Sequence, residues 1–137
     1  MEIQFQFLCD YAQESGGKLT AVGVGAEQIY ASEVPAVQPS LGLVVSLLYS
    51  FAEAGTKRLQ VRLVDADGRD VMAVQQTDLT LGEPESSPSG SFRIVVAMSQ
   101  LKFESYGDYA FHVTLDGNEI ARAPLALVAR PPSQPPS

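Results

Sequence analysis

The stretch Asp65-Ala66-Asp67-Gly68-Arg69-Asp70 is the one constellation in the chain that resembles a site. Oxygen ligands at alternate positions, with a glycine for the bend, suit Ca²⁺. An EF-hand loop also needs flanking helices and a distal glutamate, and neither is evident here. The same residues, set between Leu63-Val64 and Val71-Met72, are what a β-hairpin turn asks for, and that structural reading is preferred. The single histidine, His112, falls on the strand face opposite Phe111 and Val113. With no second histidine or cysteine, zinc would depend on carboxylates, which is a poor ligand set for it. A mid-strand histidine without a facing acid is a poor base, and no serine sits in a nucleophile-elbow pattern. Cys9 lies in an alternating apolar strand and reads as a core thiol rather than a nucleophile. Gly23-Val24-Gly25 lacks the lysine and the following helix of a phosphate loop. Of the tyrosines, Tyr30 and Tyr106 are the surface candidates for a carbohydrate platform, because Tyr49 and Tyr109 share faces with core residues.

Composition narrows the partners. The chain has 137 residues, 45% of them hydrophobic, enough for one domain with its own core. A net charge of −7, with nine Lys and Arg scattered along the chain, argues against nucleic acid. The same sign disfavours an anionic membrane surface. One cysteine permits no intrachain disulfide, which points to a reducing, cytoplasmic setting. The opening Met1-Glu2-Ile3-Gln4-Phe5-Gln6 alternates like a strand and does not read as a signal peptide. The mainly apolar stretch from Leu41 to Phe51 is too short to cross a bilayer as a helix. No cofactor is expected.

The elements that must position these residues are strands. Ile3, Phe5, Phe7 and Cys9 alternate with Gln4, Gln6 and Leu8. The polar segment from Asp10 ends in a Gly16-Gly17 turn, and Lys18 to Gly25 reads as a strand with a bulge. Ala26 to Ser40, with Pro35 and Pro39, reads as connection. Leu43, Val45, Leu47, Tyr49 and Phe51 share one face of the strongest strand. Leu59, Val61 and Leu63 alternate next, followed by Val71 to Thr77 beyond the acidic turn. Leu81 to Gly90 reads as a loop, after which Phe92, Ile94, Val96 and Met98 alternate. Gly107-Asp108-Tyr109-Ala110-Phe111-His112-Val113-Thr114-Leu115 then stops at Asp116-Gly117-Asn118, a hairpin signal whose return strand runs to Val128. Tyr109 at the start of this late strand suggests a tyrosine corner. No stretch of ten residues shows helical periodicity. The expected fold is all-β, an immunoglobulin-like antiparallel β-sandwich of roughly eight strands. Residues 1–129 form the domain and 130–137 a Pro/Ser-rich disordered tail. The expected core comprises Phe5, Phe7, Val45, Leu47, Val61, Leu63, Ile94, Val96, Phe111 and Val113.

Leu8-Cys9-Asp10-Tyr11-Ala12, then Gly17-Lys18-Leu19-Thr20, Gly23 and Val34-Pro35, resemble an uncharacterised family of small bacterial proteins. The likeness continues through Leu63-Val64-Asp65 with Asp67-Gly68, and through Gly107-Asp108-Tyr109-Ala110-Phe111 with Asp116-Gly117. It spans nearly the whole chain except the tail. The resemblance implies a soluble bacterial β-domain and transfers no catalytic residue.

A complete β framework without clustered catalytic types points to a non-catalytic binding or assembly module, working through a sheet face or end loops. Two alternatives stand beside it. One is a Ca²⁺-dependent binder at Asp65, Asp67 and Asp70. The other is a carboxylate hydrolase drawing on those residues with Glu83 and Glu85. The expected interface is an apolar patch of Val44, Leu48 and Val95, which lie opposite the core sets of their strands. The partner would be a protein or a second copy in an isologous dimer. Cover by the Ala26 to Ser40 segment is the competing expectation for that patch.

Overall fold

The computed structural model describes residues 1–83 and 89–130. The described chain is nearly all strand: β1 (Glu2–Cys9), β2 (Tyr11–Ser15), β3 (Lys18–Val22), β4 (Gln28–Ala31) and β5 (Ala36–Ser50). A single 3-10 turn, Phe51–Glu53, leads to β6 (Gly55–Asp65), β7 (Gln75–Leu81), β8 (Ser89–Phe103), β9 (Gly107–Leu115) and β10 (Asn118–Ala129). The all-β expectation holds, in ten strands among the described residues rather than roughly eight. Three strands form one sheet in the order β1-β5-β8, and five form another in the order β4-β10-β9-β6-β7. A hairpin, β2-β3, stands apart. All pairings are antiparallel except β10 with β4, which run parallel.

The alternation read from sequence explains the main core. Leu41, Leu43, Val45, Leu47 and Tyr49 of β5 meet Leu59, Val61 and Leu63 of β6, Tyr109, Phe111, Val113 and Leu115 of β9, and Leu125 and Leu127 of β10. Tyr109 is buried, and its hydroxyl donates to the Ser105 carbonyl, giving the tyrosine corner its upstream partner. The Asp116-Gly117 turn has φ of 50° and 81°, the left-handed pair that a two-residue hairpin needs.

Four expectations change. Phe5 is 40% exposed and Phe7 is half-buried outside the main core, while Leu8 takes the inner position opposite Leu43. Phe7 faces Val44 instead, because the register of β1 shifts at a bulge between Ile3 and Phe5 and parity then sets the face. Val96 is half-buried at the rim of the core. The segment from Ala26 to Ser40 is more than connection, since it contains β4 and the first residues of β5. The strand after the acidic turn begins at Gln75, not Val71; Val71 and Met72 pack on the core from the connecting segment. The expected tail from 131 and most of the loop before β8, residues 84–88, lie outside the described residues. Arg130 is described, and its N–H donates to the Ala31 carbonyl at 2.9 Å.

The polar segment after Cys9 is also strand. Gly16 and Gly17 have φ of 60° and 74°, so the chain folds tightly back and β2 pairs with β3. This hairpin lies on the outer face of the three-stranded sheet. Beneath it Cys9, Ala12 and Val44 form a second small core, flanked by Phe7, Leu19, Ala21 and Val95. Gly42 makes the close approach possible: a Cβ there would lie 2.8 Å from Cys9 Sγ and 3.3 Å from the Ala12 nitrogen.

Candidate functional site

The acidic turn is occupied by its own hydrogen bonds. Asp65 Oδ1 accepts from the N–H groups of Asp67 and Arg69, both at 2.9 Å. Asp70 Oδ1 accepts from Arg62 Nε at 2.9 Å, an ion pair that raises the Arg62 guanidinium above its ordinary pKa. The turn borders a cavity of about 440 Å³ into which Lys102, Arg69 and Glu104 also project, so its charge is mixed. Glu83 is exposed two residues beyond Leu81, which pairs with Gly55 at the far end of β6 from Asp65. Glu83 therefore does not join Asp65, Asp67 and Asp70, which border the same cavity. Glu85 lies outside the described residues.

His112 sits on the outer face of the five-stranded sheet, in register with Arg62 on β6 and Arg122 on β10. Its Nδ1 meets Glu119 Oε1, so the facing acid that sequence reasoning did not find comes from the next strand. The signal was available: a hairpin turn at Asp116-Gly117 brings the residues on either side of it together. Cys9 is fully buried beneath the hairpin and directs its Sγ toward the Gly42 carbonyl at 3.7 Å. Burial, and then the charge of Asp10, push its thiol pKa up, which removes thiolate character.

The expected interface residues separate. Val44 and Val95 are paired across β5 and β8, but Val44 is 0% exposed beneath the β2-β3 hairpin, and Val95 packs against the same cluster. Leu48 lies on the same face, half-buried and outside that cluster. The cover is the hairpin from Tyr11 to Val22, not the segment from Ala26 to Ser40.

A mainly apolar concavity lies elsewhere, along the side where β7 ends one sheet and β8 ends the other. A cleft of about 390 Å³ opens there between Leu59, Val61 and Leu79 on one wall and Ile94 and Val96 on the other. Its rim on β7 is Gln75, Gln76 and Thr77, without a charge. A second hollow of about 240 Å³ shares Gln75, Val96 and Ala97 with the first and continues past Met98 to Leu101. Together they follow β8 from Arg93 to Leu101, a length of roughly 26 Å at strand rise. Arg93 also borders the cleft, with its guanidinium tied to the hairpin by the Gly17 carbonyl at 3.2 Å and Glu14 at 3.7 Å. Both walls carry a strand edge that has no β-partner among the described residues. The cleft was not visible in sequence, since it depends on which edges are left unpaired.

Fold and site define an all-β protein with two larger sheets around a main core, a hairpin over a smaller one, and one side left open among the described residues. The chain belongs to a family of unknown function (DUF6941), whose profile matches residues 4–128. No curated protein matches the chain. Among solved structures, it is similar to the Pseudomonas fluorescens alkylpurine DNA glycosylase AlkC bound to DNA containing an abasic site analog. That match has 17% identity and a TM-score of 0.46, covering 77% of this chain and 28% of that one. It is also similar to the β-glucosidase from Listeria innocua in complex with glucose, at 17% identity and a TM-score of 0.44, covering 74% of this chain and 15% of that one. The chain thus spans less than a third of the length of either protein. No helix of the described chain is long and apolar enough to cross a membrane.

Proposed function

We propose that this chain is a non-catalytic binding or assembly module, working in a bacterial cytoplasm, whose working surface is the cleft between β7 and β8. One observation carries the reading: an apolar trough is flanked on both sides by strand edges without partners among the described residues. Such a trough offers two things to an extended protein segment. Rows of backbone N–H and C=O groups supply main-chain hydrogen bonds, and the apolar floor takes every second side chain. Asp65, Asp70, His112 and Cys9 are each engaged within the fold in the ways described above, which supports binding over chemistry. The free thiol of Cys9 agrees with a reducing compartment.

The test is selection of random twelve-residue segments displayed against the folded protein. The expected winners alternate apolar and polar residues, and they lose binding when Leu79→Lys places a charge on the cleft wall. Failure of a monomeric chain to enrich any segment, or winners indifferent to Leu79→Lys, would overturn the reading.

A further inference from the structure

The four edges of the two larger sheets are not treated alike among the described residues. The β4 edge is only four residues long and is followed by Pro35. The β1 edge is partly covered, since the N–H groups of Gly25 and Ala26 donate to the Leu8 carbonyl at 2.9 and 3.2 Å. Short strands, prolines and covering segments are the ordinary means of preventing edge-to-edge pairing. The β8 edge is fifteen residues long, with one left-handed residue, Gln100 (φ 54°), near its end, and the hairpin packs on its outer face. From Ser91 to Gln100 it has no proline and no lysine, its single charge is Arg93, and that charge is tied to the hairpin. Its middle is Ile94-Val95-Val96, β-branched residues that pack well across strands.

We infer that the β8 edge pairs with the β8 edge of a second copy of this chain, so that the two open sides close on each other. This rests on the reading of the cleft as the working surface and names its occupant. The sequence of β8 suits self-pairing. In an antiparallel arrangement about a two-fold axis near Val96, Ile94 lies opposite Met98 of the second copy and Arg93 opposite Ser99, so no like charges meet. The axis stands perpendicular to the sheet, so the inner faces of both copies stay on the same side. Val96 and Met98 of each copy then extend the roof over the other's cleft, and the three-stranded sheets join into one of six. Such an interface is isologous and closes at two copies, which avoids open-ended growth from an unguarded edge. The acidic net charge of each chain opposes the approach, so the apolar cleft and the new ladder have to outweigh it.

The experiment is sedimentation equilibrium of the full chain at micromolar concentrations, together with amide hydrogen exchange at two protein concentrations. The parent should sediment at twice the chain mass. Alternate amides between Arg93 and Leu101 should exchange at least tenfold more slowly at the higher concentration, while those of β4 do not change. Val96→Lys should restore the monomer: in a single copy the lysine can reach solvent through the open cleft, but in the pair its charge is enclosed. A monomeric parent, a dimer that Val96→Lys leaves intact, or protection that rises elsewhere would overturn the inference. Should Val96→Lys fail to fold, the exchange pattern of the parent decides alone. A monomer that still selects alternating segments in its cleft would sink the second copy and leave the binding module standing; loss of both would sink the module.

Discussion

The two long sides of this molecule are built from the same kinds of residues and finished differently. On one side β1 and β10 are brought together by the chain itself. Gln6 Nε2 donates to the Arg122 carbonyl at 2.7 Å, the Ala126 N–H donates to the Glu27 carbonyl at 2.9 Å, and β4 adds a parallel strand to β10. Tyr106 seals the end of β4 through its hydroxyl on the Ala31 carbonyl at 3.0 Å. On the other side β7 and β8 face each other across the cleft, with no strand between them among the described residues. The contrast shows that apolar alternation suffices to build the two sheets, while closure depends on a further segment. Residues from Gly23 to Ala31 supply that segment on one side only.

The sharpest way to break this contrast is to remove equivalent leucines from the two sides. Leu127 of β10 is 2% exposed on the closed side, whereas Leu79 of β7 is half-buried at the cleft. Leu127→Ala should cost about 2–5 kcal/mol, because the lost side chain leaves a cavity in packed surroundings. Leu79→Ala should cost about 1 kcal/mol, since that wall already borders open space. Denaturant unfolding of both variants checks this. Equal losses would mean that the β7 side is as tightly packed as the other.

The hairpin over the outer face permits a second cut. Gly42→Val places carbon against Cys9 Sγ and the Ala12 backbone, so the hairpin must lift. The expected loss is about 1–3 kcal/mol, as for other overpacked sites. Cys9→Ala in the same chain should recover part of it, because the two changes share one contact. A strictly additive pair would mean that the hairpin moves freely over the sheet, and that Val44 is exposed in solution.

These contrasts also mark what the sequence could and could not say. The strands with clean alternation, β5, β6, β8 and β9, were legible because each has one face in the core between the two sheets. The hairpin at Asp116-Gly117 and the tyrosine corner were legible because turn chemistry and a buried phenol are local demands. The face of β1 was not, because both of its faces find apolar partners: Leu8 inside, Phe7 and Cys9 under the hairpin. In β2 the one buried side chain is Ala12, so the strand reads as polar linker. In β4 four residues before a proline give too short a pattern, and its parallel pairing with β10 depends on a partner nearly a hundred positions away. The cleft depends on strand order alone, which no local pattern encodes.

A tie that belongs to neither side gives a smaller, well-defined effect. Tyr109 on β9 is 6% exposed, packs edge-on to Phe103 with ring centroids 4.9 Å apart, and bonds the Ser105 carbonyl. Tyr109→Phe keeps the ring contact and removes only the hydroxyl. It should cost about 1 kcal/mol and leave the exchange rates of both edges unchanged. A larger loss, or faster exchange confined to one edge, would show that the corner also sets how the sheets meet at that side.

The smallest expected effect lies where β1 begins, on the closed side. The Met1 ammonium is 2.8 Å from Glu53, and the Ser50 N–H donates to the same carboxylate at 2.8 Å. Together they hold the Glu53 carboxyl at about 2, below its ordinary 4.5. A group whose folded pKa is depressed contributes stability above its unfolded pKa, and that contribution is lost as pH falls through the folded value. The window is therefore from about 4.5 down to about 2. Glu53→Gln should lower the melting temperature by about 1–3 °C at neutral pH, because a solvent-screened pair is weak. The difference between parent and variant should shrink steadily as the buffer is taken through that window. A difference that stays constant with pH would show that the charge that anchors β1 does not carry the effect, since glutamine can still accept the Ser50 N–H.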